Sequence, residues 1–592
     1  MPPVINLAGN LAGNLASTTL NRVSIAVWLL FALPVILGLI GIILPAFGFF
    51  PAMGKTSFSL DAARQFISTP GLSTASWLSL KTGLLATALS LFGSFILMAS
   101  LTGTRAMSWL GRLMGPLVAI PHSTIAIGMV FLLTPSGWLM RLVSPWLTGF
   151  DRPPANLTWG LTWGLVPDPD GMALVVGLMA KEIPFLLLVG LVAAQTLPLA
   201  RMMNVGFSLG YGRLTCWAFI IFPMIYRQLR LPVMAVLVFS LSVVDMALLL
   251  APSLPPPLAV LVLNGFNDAD LAARLPASFG ALVQIGLCLS GVAIWWIGEI
   301  IVGAIIGAWR QRGFRAAGAD IFLKGCAGAF LLPLLLGILG LVAAAIWSCA
   351  SSWFFPAALP ASTTILHWQA AADYWPLISN SWYLAILSSG AAVVIVFLWL
   401  YQARNRAQDQ PNKPPRHSRF IISAIYLPLL VPQISFMFGL QIGLSWAELD
   451  GTWSALIFSH MIFIMPYAWL VIAPAFAAME WRHDHLAASL GLSPFQRFLR
   501  VHLPLLAPAL GMALFIGICV SIALYLPTVF VGGGRISTIT VEAISLAANG
   551  GRGPAGVAAM LQILIPLAGF IVIRTALSYR FAKFSGMCGG LR

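Results

Sequence analysis

The feature that most constrains this chain is a series of about twelve apolar segments, each long enough to cross a bilayer. A membrane-spanning helix needs roughly 20 apolar residues, and such segments recur along all 592 residues. They cover residues 25–49, 78–101, 110–134, 172–197, 230–252, 281–307, 326–349, 379–401, 420–444, 454–477, 507–530 and 555–579. The sequence therefore predicts an all-α integral membrane protein.

The composition excludes a soluble fold. Hydrophobic residues make up 59% of the chain and charged residues only 8%, whereas a soluble domain carries about 25% charged residues. Lipid tolerates apolar side chains that face outward. The six cysteines occur singly, with no Cys-x-x-Cys pair, so we expect no zinc site and no disulfide framework. We also predict no other metal and no cofactor.

The basic residues cluster in the connections between apolar segments. With a cytoplasmic N-terminus, the inner connections hold most of the Lys and Arg, including Arg213 and Arg312, and the outer connections hold acids such as Asp168 and Asp268. This is the positive-inside pattern. The net charge of +15 is therefore a topology signal rather than a sign of nucleic-acid binding. We expect both termini in the cytoplasm.

An internal repeat divides the chain. Gly210 and Gly491, Pro223 and Pro504, and Ser240 and Ser521 are each 281 residues apart, and AIPHS (119–123) matches LVPQIS (430–435) at 311 residues. Each half holds six segments, an even number, so the halves enter the membrane in the same direction. The repeat predicts two parallel six-helix halves, 1–315 and 316–592, with any pathway on the axis between them.

One motif recurs between the fourth and fifth segments of each half, in residues 199–223 and 480–504, which we call the first and second elbows. A glycine is followed by nine residues, a β-branched residue, one more residue, an apolar residue and a proline, as in Gly210…Ile220-x-Phe222-Pro223 and Gly491…Val501-x-Leu503-Pro504. The glycine lets the chain reverse, and the proline should end or kink a short helix. In the second elbow, Ser493 should cap that helix.

The short helix of each elbow should present an apolar face. Phe495, Phe498 and Leu499 fall at i, i+3 and i+4. Leu214, Trp217 and Ala218 occupy the same places in the first elbow. We expect two rigid apolar knobs in the cytoplasm, suited to docking on a dimeric partner.

The elbows resemble the EAA loop of permeases from binding-protein-dependent ABC importers. The family pattern is Glu-Ala-Ala, three residues, Gly, nine residues and Ile-x-Leu-Pro. The second elbow resembles it from Ala487 to Pro504, and the first has Asn204, Val205 and Gly206 where Glu-Ala-Ala is usual. Over nearly its whole length, the chain is similar to fused permeases such as those of the thiamine and ferric-iron importers.

This resemblance implies a type I importer permease in a bacterial inner (plasma) membrane. Its partners would be a dimer of cytoplasmic ATP-binding subunits, a periplasmic solute-binding protein and membrane lipid. The chain has no Gly-x4-Gly-Lys-[Ser/Thr] phosphate loop, so the ATPase would be a separate chain and this one would not be an enzyme. The residues expected to couple to the ATPase are Gly210, Leu214, Trp217, Ile220, Pro223, Gly491, Phe495, Phe498, Val501 and Pro504.

Polar residues within the apolar segments are candidates for the translocation pathway. We select Glu182, Asp245, Ser240 and Ser521, although structural pairing inside the bundle also explains Glu182 and Asp245. The transported solute is not readable from the sequence: thiamine-like cations, ferric iron, small anions and polyamines remain open.

The main alternative is an ion-coupled secondary transporter, which also often has twelve spans in two parallel repeats. Such carriers need ionisable groups in the membrane to bind the driving ion, and this chain has few. A membrane enzyme would need a nucleophile, base or metal constellation, which the sequence does not contain.

Overall fold

The computed structural model describes residues 29, 32–154, 166, 168–315, 318, 320–409, 425–480 and 482–581. Within these ranges the protein is a bundle of helices with one two-stranded antiparallel sheet, Ala350–Ser352 (β1) with Ser362–Thr363 (β2). The all-α membrane fold predicted from the sequence is confirmed by ten helices that are long and apolar enough to span a bilayer.

The helices of the first half occur in the following order. They are α1 (Ala32–Ala46), α2 (Asp61–Ile67), α3 (Leu72–Leu101), α4 (Arg105–Ala119), α5 (His122–Leu133), α6 (Trp138–Val143), α7 (Met172–Gln195), α8 (Leu199–Ser208), α9 (Arg213–Cys216), α10 (Phe222–Ser242), α11 (Ala247–Leu250), α12 (Leu258–Phe266) and α13 (Arg274–Gln311). A π-helical turn, Trp217–Ile221, joins α9 to α10.

The second half continues the bundle. Its helices are α14 (Asp320–Ser348), α15 (Leu366–Gln369), α16 (Trp375–Asp409), α17 (Ile434–Trp446), α18 (Trp453–Ala478), α19 (Arg482–Ser489), α20 (Pro494–Arg497), α21 (Leu503–Ala523), α22 (Leu526–Gly532), α23 (Ile539–Ala548) and α24 (Arg552–Phe581). A second π-helical turn, Phe498–His502, joins α20 to α21.

Ten of the twelve predicted apolar segments overlap helices of spanning length, but the helix His122–Val143 covers only the second part of 110–134 and the helix Arg213–Ser242 only the first part of 230–252. The other two, 25–49 and 420–444, contain the shorter apolar helices α1 and α17, and both adjoin residues outside the described ranges. Residues 402–409, the first part of the polar, Pro-rich and basic stretch 402–418, form the end of α16, and residues 410–418 lie outside the described part.

The predicted segments 230–252 and 507–530 are broken after Ser242 and Ala523, and the predicted third segment, 110–134, is also wrong as a single helix. It is divided into α4 and α5 at Ile120, whose ψ of 132° is extended. Pro121 explains the break, because a residue before proline is driven out of the helical region. Helix α4 has Thr104 as its N-cap, which accepts a hydrogen bond from the Met107 amide.

Two glycine contacts cross between the halves. A Cβ atom on Gly41 of α1 would lie 2.6 Å from the Gly439 carbonyl oxygen of α17, and a Cβ on Gly340 of α14 would lie 2.7 Å from the Gly128 carbonyl carbon of α5. Small residues allow such close approach of helix backbones in a membrane. The first helix of each half thus packs on the opposite half.

Polar and aromatic contacts add to this junction. Ser435 donates to the carbonyl oxygen of Ala281 at 2.9 Å. Phe266 stacks on Phe438 with ring centroids 4.3 Å apart, and Phe530 packs edge-on against Phe266 at 5.8 Å. The largest cluster of buried apolar residues includes residues of both halves, and two smaller clusters consist mainly or entirely of residues of the second half.

Candidate functional site

From their short helices onward the two elbows have the same secondary structure, residue for residue, whereas before the glycine α8 begins at Leu199 and α19 at Arg482, the counterpart of residue 201. Helices α9 and α20, the π turns, and helices α10 and α21 begin and end 281 residues apart at every boundary. Gly210 has φ of +80° and Gly491 has φ of +78°. A residue with a side chain rarely adopts this left-handed backbone conformation. Each glycine therefore makes the reversal between the two short helices possible.

The sequence led us to expect that the proline of each elbow would end the short helix or kink it into the next span, and the structure shows that it does not end the helix. Instead the helix widens: the Phe222 amide donates to Trp217 and the Leu503 amide donates to Phe498, both five residues back. Pro223 and Pro504 lack an N–H, and a π turn accommodates that loss without breaking the rod. Each elbow therefore continues as unbroken helix into the span that follows.

Exposed apolar side chains occur at matching positions before the glycines. Val205 is 58% exposed and its counterpart Leu486 is also exposed; Leu209 and its counterpart Leu490 are 53% and 81% exposed. Exposed large apolar residues in a cluster mark a contact surface. These four residues, which we call the apolar rim, were missed by the sequence analysis because they precede the motif's glycine.

The predicted apolar face needs correction. Phe495 is 69% exposed, as expected, but Trp217 is only 1% exposed and lies in the core. Phe498 packs between Phe397 and Tyr401, with ring centroids 5.6 and 5.2 Å away. The i+3 position of each short helix therefore points into the bundle, and in the second elbow aromatic packing holds it there.

The remaining coupling candidates are partly buried. Leu214, Ile220, Val501 and the two motif prolines are neither fully buried nor exposed, and both glycines are exposed. Ile220 packs against the core. These positions shape the elbow rather than form its outer surface.

Different contacts hold the two short helices. In the second elbow, Ser493 caps α20 as predicted: its hydroxyl accepts from the Gln496 amide at 3.3 Å, and its own amide donates to Gln496 Oε1 at 3.0 Å. This is a reciprocal capping box. Asp484 of α19 pairs with Arg497 Nη1 at 2.7 Å and His502 Nε2 at 3.0 Å.

At the positions that correspond to Asp484, Arg497 and His502, the first elbow has Met203, Cys216 and Ile221. It is held instead by a distant acid, since the amides of Arg213 and Leu214 donate to the Asp320 carboxylate at 2.7 and 2.9 Å.

The pathway candidate Glu182 and the neighbouring Lys181 lie deep in the bundle, and each has polar partners. Glu182 is buried, and its Oε1 lies 3.3 Å from His122 Nε2. The neighbouring Lys181 donates to the carbonyl oxygens of Leu117, Val118 and Ile120, at 3.0 and 3.1 Å for the first two. Lys181 and Glu182 thus bond in different directions, and Lys181 holds the break between α4 and α5.

The other pathway candidates lie at the ends of α10 and α21. Asp245 is half-buried in the break between α10 and α11. The buried Ser240 hydroxyl has no hydrogen-bond partner among the described residues. Its counterpart Ser521 lies 3.0 Å from His460 Nδ1 and 3.4 Å from Ser388 Oγ. The structure brings Ser521 into a satisfied polar cluster and leaves Ser240 outside it.

Known proteins resemble the chain over most of its length. It is 28% identical over 474 residues to the inner membrane ABC transporter permease protein YnjC of Escherichia coli (strain K12), which covers 79% of this chain and 80% of that protein. This chain is a homologue of ABC transporter permeases. The EAA-type resemblance of its elbows agrees with that relationship.

Shorter similarities to other permeases accompany this match. This chain is 25% identical over 170 residues to the putative 2-aminoethylphosphonate transport system permease protein PhnV of Salmonella choleraesuis (strain SC-B67). The match covers 28% of this chain and 62% of PhnV. The PhnV of Salmonella paratyphi A (strain ATCC 9150 / SARB42) is 26% identical over 134 residues, or 22% of this chain and 51% of that protein. No family model matches the sequence.

Proposed function

We propose that the chain is the membrane-spanning subunit of an ATP-driven importer that moves a small solute from the periplasm to the cytoplasm. ATP hydrolysis would occur on a separate pair of ATP-binding subunits, and a solute-binding protein would deliver the solute at the outer face. Both termini would lie in the cytoplasm of a cell with an inner membrane. The relationship to ABC transporter permeases supports this proposal.

The observation that carries the proposal is that the two elbows have matching secondary structure from their short helices into the spans that follow. Two rods, each with a reversal at a left-handed glycine and an exposed apolar rim, suit a partner with two equivalent clefts. Because each short helix continues through a π turn into α10 or α21 without a non-helical break, a movement imposed on an elbow would be passed on to the bundle interior.

The division into halves at residue 315 is part of this proposal. The contacts of Gly41 with Gly439 and of Gly340 with Gly128 support it. In each contact, the first helix of one half packs against a helix of the other half. In alternating access, the two halves would rock about the axis between them.

We place the pathway along that axis, near Glu182, Asp245, Ser240 and Ser521. Polar groups lie here within the membrane-spanning bundle, where charged side chains are rare. They are Glu182 with its partner His122, and Asp245 at the helix break. A helix break exposes backbone groups that a passing solute can contact.

An ion-coupled carrier has less support. It offers no reason for two matched elbows outside the spans, and the relatives found are named as ABC transporter permeases.

The proposal is tested by co-expressing the tagged chain with candidate ATP-binding subunits from the same organism. We expect one of them to co-purify with the chain, and the complex in lipid nanodiscs to hydrolyse ATP faster when a loaded solute-binding protein is added. Uptake driven by an ion gradient in liposomes without any ATP-binding subunit would contradict it.

A further inference from the structure

The first elbow is tied to the first helix of the second half. Helix α14 begins at Asp320, and both carboxylate oxygens of that residue accept hydrogen bonds from the first two amides of α9, those of Arg213 and Leu214, at 2.7 and 2.9 Å. The N-cap residue of α9, Gly212, has no side chain to satisfy these amides. Asp320 therefore supplies, from 106 or more residues away, the cap that α9 lacks.

A second contact comes from the segment just before α14. The carbonyl oxygen of Arg315 accepts from the Thr215 hydroxyl at 2.8 Å and from the Gly212 amide at 3.4 Å. The Arg315 guanidinium lies beside Gly210, where a Cβ would be 3.2 Å from Nη1. Residues 315 and 320 thus hold the short helix from its N-terminal side.

The opposite side of α9 is also fixed. The Arg213 side chain donates from Nε to the carbonyl oxygen of Ala99 and from Nη2 to that of Thr102. These oxygens belong to the end of α3, whose last carbonyl groups attract a cation. The first elbow is therefore clamped between α3 of its own half and α14 of the other half.

Helix α14 leads from this clamp into the bundle. It packs along α5, α3 and α7 of the first half and along α24 of the second half, and its Gly340 meets Gly128 backbone to backbone. Charge-assisted hydrogen bonds such as those of Asp320 are stronger than neutral ones. A displacement of α9 therefore pulls directly on a helix that touches both halves.

We propose that Asp320 is a positioning residue that transmits movement of the first elbow to α14, in addition to capping α9. This inference rests on the proposed function, since the movement is the one that an ATP-binding subunit would impose. It makes the two elbows unequal: the first moves with α14, whereas the second is braced locally by Asp484 and its own capping box.

The test separates the two roles of Asp320, which are to cap α9 and to link α9 to α14. Asp320→Ala removes both. Adding Gly212→Ser restores a cap within α9 but no link to α14; the φ of −68° and ψ of 168° at Gly212 already suit a capping serine. Asp61→Ala is the matched control, because Asp61 also opens a helix but is exposed and has only a loose ion pair with Arg64 at 3.7 Å.

The first readout is hydrogen–deuterium exchange of the full chain in lipid nanodiscs, which needs no partner. We expect Asp320→Ala to speed exchange in peptides covering 212–216 and in the first turns of α14 by about tenfold, equivalent to about 1.4 kcal/mol. The double variant should recover protection in 212–216 but not in α14. Wild-type exchange in 212–216 of Asp320→Ala would overturn the proposal.

The second readout is ATP hydrolysis by the complex with its ATP-binding subunits, with and without the loaded solute-binding protein. The double variant should bind the subunits normally yet lose most of the stimulation. Full stimulation in the double variant would show that Asp320 only caps α9, and this result would overturn the inference. If no ATP-binding subunit binds the wild-type chain, the proposed function fails, and the exchange experiment still decides whether Asp320 links α9 to α14.

Discussion

Replacing Gly491 by valine tests whether the shape of the second elbow is what a partner recognises. Gly491 has φ of +78°, and no atom lies within 4 Å of the place where a Cβ would be. The new side chain would meet no neighbour, so the whole effect comes from the backbone. A residue with a Cβ pays about 1–2 kcal/mol in the left-handed region, and a β-branched residue is at the upper end of that range.

This strain is relieved if the turn opens, which changes the position of the exposed Leu490 relative to the exposed Phe495 on the other side of the turn. A cost of about 1–2 kcal/mol reduces the population of the docking-competent turn by a factor of roughly 5–30. We therefore expect the dissociation constant for the ATP-binding subunit to rise by about the same factor. Biolayer interferometry on the chain in nanodiscs measures this directly.

Gly534→Val is the matched control. Gly534 has φ of +74° and likewise no atom within 4 Å of its Cβ position, but it lies after α22, far along the chain from either elbow. It carries the same backbone cost without changing a docking surface. Equal loss of binding in the two variants, or binding by Gly491→Val within twofold of wild type, would refute the reasoning.

Three further changes probe the elbows and the junction between the halves. Leu490→Asp puts a charge into the apolar rim and should weaken binding of the ATP-binding subunit at least tenfold, the scale of a hot-spot residue. Asp484→Asn removes the charged partner of Arg497, 2.7 Å away, and should destabilise the second elbow locally by about 2 kcal/mol, seen as faster exchange in 482–502. Gly340→Leu drives a side chain into the Gly128 backbone and should lower the thermal midpoint in nanodiscs, since overpacking costs about 1–3 kcal/mol.

Each change has a neutral counterpart in the chain. Leu254 is exposed outside the elbows, so Leu254→Asp should leave binding unchanged. Asp373 is exposed, and Asp373→Asn should not alter exchange in 482–502. Gly325 lies in the same helix as Gly340 with no atom near its Cβ position, and Gly325→Leu should keep the wild-type midpoint. A counterpart that behaves like its test variant would show that the effect is not local.

The spans were predictable because hydropathy reports directly whether a segment can face lipid. Ten segments were located as spanning helices in this way. The division at Ile120 was missed, although Pro121 carries the signal, because both flanking helices are apolar enough to hide the break in a window of about 20 residues. Helix partners were not predictable, since Gly41 and Gly340 look like any other glycine of an apolar run.

The elbows were predictable in position but not in surface. The spacing from Gly491 to Pro504 located the turn and its cap at Ser493. It could not reveal that Trp217 is buried, because a helical face that is apolar can equally meet the bundle or a partner. The role of Asp320 leaves no local signal, since its contacts span more than 100 residues.

Cross-linking from the apolar rim tests the central claim most directly. A photoreactive phenylalanine analogue placed at residue 209 or 490, and at residue 254 as a control, would be activated in membranes that contain the full complex. The account predicts a cross-link to an ATP-binding subunit from both rim positions and none from position 254. Cross-links from 209 and 490 only to a periplasmic protein or to lipid would contradict it.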